Sequence, residues 1–276
     1  MISNTPHPAG LVELFQSFWR HRQLILRMSK RDVIGRYSGS MMGLAWSFFN
    51  PLLMLTIYTF VFSVVFNSRW EGGGDEGKTR FAVLLFVGMI MHGLFAECVN
   101  RAPTLILTNV NYVKKVVFPL EILPWVAFCS ALFHAAISLA VLLLAQLIFD
   151  RSLACTVLLF PLVLLPLMLA TMGFAWFIAS FGVYVRDVGQ ITAMFTTVLL
   201  FMSGVFYPIS ALPAEYQGWM QLNPLAFIIE ESRNVLVLGR VPDPARLAVA
   251  TLGGLAVAWL GFAWFQGTRR GFSDVV

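Results

Sequence analysis

Six stretches of this chain run for about 20 residues with few or no charges, and that pattern limits the fold more than any motif does. A helix of about 20 apolar residues crosses the roughly 30 Å hydrocarbon layer of a bilayer. The stretches cover residues 41–66, 81–99, 122–149, 153–185, 188–207 and 247–265. Asn50-Pro51 predicts a kink in the first, and Pro161 and Pro166 fall inside the fourth. Charged residues make up 12 % of the chain and hydrophobic ones 58 %, whereas soluble domains are roughly a quarter charged. The sequence therefore reads as an all-α integral membrane protein of six spans. Residues 1–40 form a cytoplasmic interfacial region and residues 41–276 the membrane domain.

Lys and Arg set the orientation. A cytoplasmic N-terminus places Arg20, Arg22, Arg27, Lys30, Arg31, Arg36, Arg101, Lys114, Lys115, Arg186, Arg269 and Arg270 inside. Arg69, Lys78, Arg80, Arg151, Arg233, Arg240 and Arg246 then lie outside, beside the acids Glu71, Asp75, Glu76, Asp150, Glu215, Glu230, Glu231 and Asp243. This bias favours both termini in the cytoplasm. The formal charge of +5 does not point to nucleic acid, because the chain has no basic soluble portion to bind it. Residues 1–30 lack the unbroken apolar core of a signal peptide, so no cleavage is expected.

Gly72 to Thr79 fits G-x-x-x-x-G-K-[ST], the phosphate-cradling loop of ATP-hydrolysing proteins. Such a loop needs a strand before it, a helix after it and an α/β domain around both. Here apolar spans flank it, the loop falls on the outer side, and Asp75 and Glu76 repel a triphosphate. The match is read as an accident of a Gly-rich turn.

Several other segments are informative. In residues 11–28, Leu11, Leu14, Phe15, Phe18 and Ile25 share one helical face and charged residues occupy much of the rest. That pattern predicts an amphipathic helix lying in the interface, either as an anchor or as a basic collar for an anionic headgroup. The loop 100–121 has room for a short cytoplasmic helix ending before Pro119. Residues 207–245 are too apolar for an ordinary loop, and "PLAFIIE" and "VLVL" are too short to span. Two short segments that dip into the outer leaflet and turn back suit that pattern.

Asn50, His92, Glu97, His134 and Gln146 are polar residues within spans and are expected to face protein or water. Glu97 is placed to pair with Arg101, four residues on. Gly35, Gly39 and Gly43 recur every four residues and suggest close helix packing, within one subunit or between two. Cys98, Cys129 and Cys155 lack C-x-x-C spacing and read as small buried hydrophobes. No nucleophile–base pair, carboxylate pair or metal cluster is apparent, which points away from an enzyme and toward passage. A small-molecule exporter, a membrane-embedded glycosyltransferase and a secondary transporter remain alternatives.

Three blocks carry a resemblance. "RDVIGRYSGSMMGLAWSFFNPLLMLTIYTFVFSVVF", "NVNYVKKVVFPLEILP" and "LNPLAFIIEESRNVLVLG" resemble, in matching order, permease subunits of bacterial polysaccharide-exporting ABC transporters. The O-antigen exporter (Wzm) type is the nearest, with teichoic-acid and capsule permeases related. Ser38 and Leu120 stand where the family often has a basic residue. The resemblance implies a homodimeric permease in the bacterial inner membrane, without a nucleotide site of its own. Two separate ATPase subunits would bind ATP and Mg, and the cargo would be an undecaprenyl-diphosphate-linked polysaccharide. Arg20, Arg22, Arg27, Lys30, Arg31, Arg36 and Tyr37 would meet the lipid diphosphate at a cytoplasmic gate, with ATPase docking a rival role for some of them. Thr108, Asn109, Asn111, Tyr112, Lys114 and Lys115 would couple to the ATPase. Trp46, Phe49, Phe195, Phe201 and Tyr207 would line a glycan channel, since aromatic faces pack on the C–H faces of sugars and let them slide. Asn223, Pro224, Glu230 and Arg233 would form the outer gate.

Overall fold

The computed structural model describes residues 10–61, 75–114, 118–149 and 153–275. All regular structure among them is helical. The predicted end of the first span at 62–66, the Gly-rich 72–74, and Lys115 lie outside the described residues.

Helix α1 (Leu11–Arg36) has no proline, begins with Glu13 in its first turn and ends with Arg36 in its last, as the helix dipole favours. It is longer than the predicted amphipathic segment, and its buried face differs. Leu14, Ser17, Ile25, Met28, Ser29 and Val33 are buried, whereas Leu11 and Phe15 are exposed. Phe18 packs on Trp125 with ring centroids 4.5 Å apart.

The chain then turns through Gly39 (φ 85°) and Gly43 (φ 53°). Left-handed backbone of this kind suits glycine and breaks a helix. The three glycines therefore do not share a helical face, and a Cβ at Gly35, Gly39 or Gly43 would meet nothing within 4 Å in this chain. Close packing occurs instead between α6 (Phe160–Tyr184) and α10 (Pro244–Thr268). A Cβ on Gly261 would collide with the backbone of Gly173, and one on Gly173 with that of Val257.

Between these elements come α2 (Trp46–Tyr58), α3 (Asp75–Arg101), α4 (Val110–Val113) and α5 (Leu123–Phe149). Helix α2 runs through Pro51 without interruption of its assignment. Helix α3 already starts at Asp75, inside the Gly72–Thr79 motif, so residues 75–79 are helix and not a phosphate loop. Among the described residues, five helices are long and apolar enough to cross a membrane: Gly43–Val61, Arg80–Thr104, Leu120–Phe149, Cys155–Tyr184 and Pro244–Gly271. The fifth predicted span is shorter than expected. As α7 (Val188–Met202) it has 15 residues, about 22 Å at 1.5 Å per residue.

After α7 come two short helices, α8 (Ala214–Gln221) and α9 (Pro224–Arg233). The Asn223 side chain caps α9 by accepting from the Leu225 N–H at 3.0 Å, and Pro224 occupies the first turn, where a missing N–H is harmless. A last short helix, α11 (Phe272–Val275), follows α10. Of the three cysteines, Cys98 is buried and Cys129 partly so, but Cys155 is exposed, contrary to expectation.

Candidate functional site

Polar interactions gather where α1, the end of α3, the start of α5 and the end of α10 meet. Arg101 Nη2 donates to both carboxylate oxygens of Asp32, at 2.8 and 2.9 Å. Glu121 is buried; it accepts from Arg269 Nη1 at 2.6 Å and from Ser17 Oγ at 3.3 Å. Arg269 also donates to the carbonyl of Phe118 at 2.8 Å, and Trp176 Nε1 donates to the carbonyl of Glu121 at 3.0 Å. One carboxylate thus ties the N-terminal helix to the end of the last long span. The first half of α1 and the end of α10 therefore meet at the same end of the bundle.

The expected Glu97–Arg101 pair does not form. Arg101 turns to Asp32, and Glu97 instead takes Arg36 Nη2 at 2.7 Å and lies 3.2 Å from His134 Nδ1. The physical reason is reach. The fold brings Arg36 and His134 to Glu97 across helices, and these contacts outcompete a neighbour four residues away. Arg36, Tyr37, Asn50, Glu97, His134 and Ser138 line a cavity of about 300 Å³. His92 binds the carbonyl of Thr196 through Nε2 at 2.9 Å, a structural contact between α3 and α7.

The predicted basic collar divides into anchored and exposed members. Arg20 faces Glu13 at 3.5 Å, and Arg22 donates to the Trp19 carbonyl while its guanidinium sits 4.5 Å above the Trp19 ring. Arg31 Nη2 donates to the hydroxyl of Tyr112 at 3.0 Å. Arg27 and Lys30 are exposed on the face opposite the packed one.

In the α3–α5 connection, Thr108 and Asn109 bond backward to the carbonyls of Thr104 and Leu105, both at 2.8 Å. Tyr112 stacks on Phe118 at 4.3 Å, and Asn111 and Lys114 are exposed. The α-helix in this connection spans four residues, Val110–Val113. A second cavity of about 300 Å³ brings Arg31, Asp32, Arg101, Thr108 and Asn109 together. The sequence placed Arg31 with the gate and Thr108 and Asn109 with the coupling loop, and gave Asp32 and Arg101 to neither group.

Trp46, Phe49, Phe195 and Phe201 are exposed in the single chain, on α2 and α7. Tyr207 is half-buried and donates to the Phe201 carbonyl at 2.7 Å. At the opposite end of the bundle, Arg233 is 5 % exposed. It donates to the carbonyls of Leu84, Gly204 and Val205 at 2.9, 2.9 and 2.7 Å. It thus fixes α9 to α3 and to the turn after α7. Asn223 donates to the Met202 carbonyl at 2.9 Å. Pro224 and Glu230 are exposed.

The sequence reading missed Asp32 and Glu121. The signal was available: only Glu13, Asp32, Glu121, Asp187 and Asp274 are acids in the regions assigned to the basic side. Acids so outnumbered are natural internal partners.

The fold and its polar junctions define a multi-pass helical membrane protein braced at both ends. The family model of the ABC-2 type transporter matches residues 23–237, and the chain belongs to this membrane family. It is similar to the O-antigen export system permease protein RfbA of Myxococcus xanthus, with 24 % identity over 268 residues, covering 96 % of this chain and 100 % of the relative. A protein of the same name from Klebsiella pneumoniae is 20 % identical over 254 residues, 92 % of this chain and 95 % of its own. The polysialic acid transport protein KpsM of Escherichia coli is 20 % identical over 239 residues, 86 % and 90 % of the two chains.

Proposed function

We propose that this chain is the channel-forming permease of an ATP-driven exporter that moves a lipid-linked polysaccharide, of the O-antigen type, across the bacterial inner membrane to the periplasm. The observation that carries the reading is the end-to-end similarity to permeases named for O-antigen export. Two copies form the conduit, and two separate ATPase subunits supply ATP and Mg chemistry. The exposed aromatics of α2 and α7 support pairing. In the most apolar window of the first span 11 % of residues are buried, against 78 % in that of the second, so its surface is available to a second copy and to the glycan. Helix α7, completed by the turn that follows it, is the fifth of six crossings in chain order, and α8 and α9 are re-entrant.

The junction of chain ends faces the cytoplasm in this reading. The positive-inside bias supports that orientation, as does the meeting of Ser17 and Arg269 at Glu121. The Arg31–Tyr112 bond supports a link between gate and coupling loop. Arg27 and Lys30 remain open to a lipid diphosphate. Capsule export is a second reading, favoured by the similarity to KpsM.

Deletion of the chain in its host tests the proposal. Surface glycan should vanish, lipid-linked glycan should accumulate on the cytoplasmic leaflet, and the intact chain with its ATPase should restore export. Unchanged surface glycan, or ATP hydrolysis by the purified chain alone, would overturn it. Export of a dye, with an ATPase indifferent to glycan, would select a small-molecule exporter instead.

A further inference from the structure

An unassigned cavity of about 770 Å³ lies between α6, α8, α9 and α10, within the 300–1,000 Å³ of typical ligand pockets. Its walls are apolar, with Phe174, Phe227, Val249 and Val257 around the small residues Ala250 and Gly253. At one end sit Glu230 and Arg246. Both side chains are exposed, and their charges, with that of Asp243, converge on buried Glu231. Asp243 caps α10, its Oδ1 accepting from the N–H groups of Ala245 and Arg246 at 2.9 and 3.4 Å, and its Oδ2 lies 3.6 Å from Arg246 Nε. The mouth therefore offers the Glu230 carboxylate and a guanidinium that Asp243 holds from its Nε side.

Depth sets the second constraint. Arg246 and Val257 lie on one long helix, and a rise of 1.5 Å per residue separates them by about 16 Å. That is close to one leaflet of the roughly 30 Å hydrocarbon layer. A groove one leaflet deep, apolar below and carrying both signs of charge at its mouth, complements a zwitterionic amphiphile.

We propose that this cavity binds a phospholipid whose head carries both a phosphate and a primary ammonium. The acyl chain lies along Ala250 and Gly253, the phosphate meets Arg246, and the ammonium meets Glu230. This goes beyond export and does not depend on it. An anionic lipid would satisfy Arg246 and be repelled by Glu230.

Native mass spectrometry of the full chain, offered equal phosphatidylethanolamine and phosphatidylglycerol, tests the assignment. The wild type should retain phosphatidylethanolamine about fivefold over phosphatidylglycerol, the effect of about one charged contact near a membrane surface. Glu230→Gln should erase that preference, and Arg246→Gln should weaken retention of both lipids. Gly253→Leu should empty the site, because a Cβ at Gly253 has nothing within 4 Å and the larger side chain can fill the groove. Ala250→Phe repeats the block should the first variant accumulate poorly. Equal lipid occupancy in wild type and both blocked variants would overturn the proposal. So would equal retention of the two lipids by wild type, or dissociation of a dimer by Gly253→Leu, which would assign the groove to a second copy.

Discussion

Arg101 Nη2 sits between the two carboxylate oxygens of Asp32, 2.8 and 2.9 Å away, and so binds the last turn of α3 to the C-terminal part of α1. With Arg36–Glu97, Ser17–Glu121 and Arg31–Tyr112 it is one of several polar attachments along one helix. Helix α1 is thus held by specific bonds as well as by its apolar face, and its position depends on the elements that supply them.

Loss of the Asp32 charge should loosen that attachment. Burial raises the Asp32 carboxyl, but the hydrogen bonds and charge of Arg101, with the charge of Arg36, outweigh it and leave it below the usual range. A carboxyl depressed in the folded state contributes fully above its unfolded value, about 4, and loses that contribution as pH falls through the folded value. Spin labels on α1 and α3 should keep their separation from about pH 5 to 8 and spread below about pH 4. Asp32→Asn should spread them at every pH, at a cost of about 1–2 kcal/mol for a pair still partly solvated. An unchanged separation in the variant would mean the bond does not position α1.

Glu121 should prove more costly to remove. Its side chain is 10 % exposed and that of Arg269 is 16 % exposed. Breaking a buried pair from one side strands the other charge, at about 3–5 kcal/mol. Glu121→Gln should lower the melting temperature of the detergent-solubilised protein, and the double variant Glu121→Leu, Arg269→Met should recover part of the loss. Equal melting for wild type and single variant would contradict a structural role.

How much of this was legible beforehand follows from the range over which each interaction acts. Span positions depend on local hydropathy, so α3, α5, α6 and α10 lie close to their predicted places. Caps are local too: Asn223-Pro224 announces the start of α9. Partners across helices are not local. Glu97 had a plausible partner at Arg101 on its own helix, but the fold supplies Arg36 and His134 instead. The glycine pattern misled for a related reason. Spacing of four is meaningful only on a continuous helix, and Gly39 and Gly43 end one. The glycines that allow close packing, Gly173 and Gly261, lie on different helices and share no spacing to read.

That contrast gives a paired test. Gly261→Val should prevent stable accumulation, because its first carbon already meets the Gly173 backbone and neither helix can yield. Overpacking of this kind costs about 1–3 kcal/mol or more, and membrane helices associate largely through close packing. Gly253→Val, about two turns away on the same helix, should accumulate normally. Immunoblots of membrane fractions decide it, and comparable amounts of both variants would refute the packing role.

The basic residues of α1 separate by their surroundings into two kinds of variant. Arg36 is joined to Glu97 at 2.7 Å, so Arg36→Ala should reduce accumulation along with any transport. Arg27 and Lys30 are exposed, so alanine at both should leave insertion and melting unchanged. If they meet a lipid diphosphate, that double variant should cut surface glycan severalfold, each lost cation weakening attraction by about 1 kcal/mol at the membrane surface. Arg31 falls between: its loss also frees Tyr112, so Arg31→Ala should lower glycan-stimulated ATP hydrolysis as well as export. Quantified surface glycan beside protein abundance separates the cases, and wild-type export by the Arg27, Lys30 double variant would remove the basic collar from the mechanism.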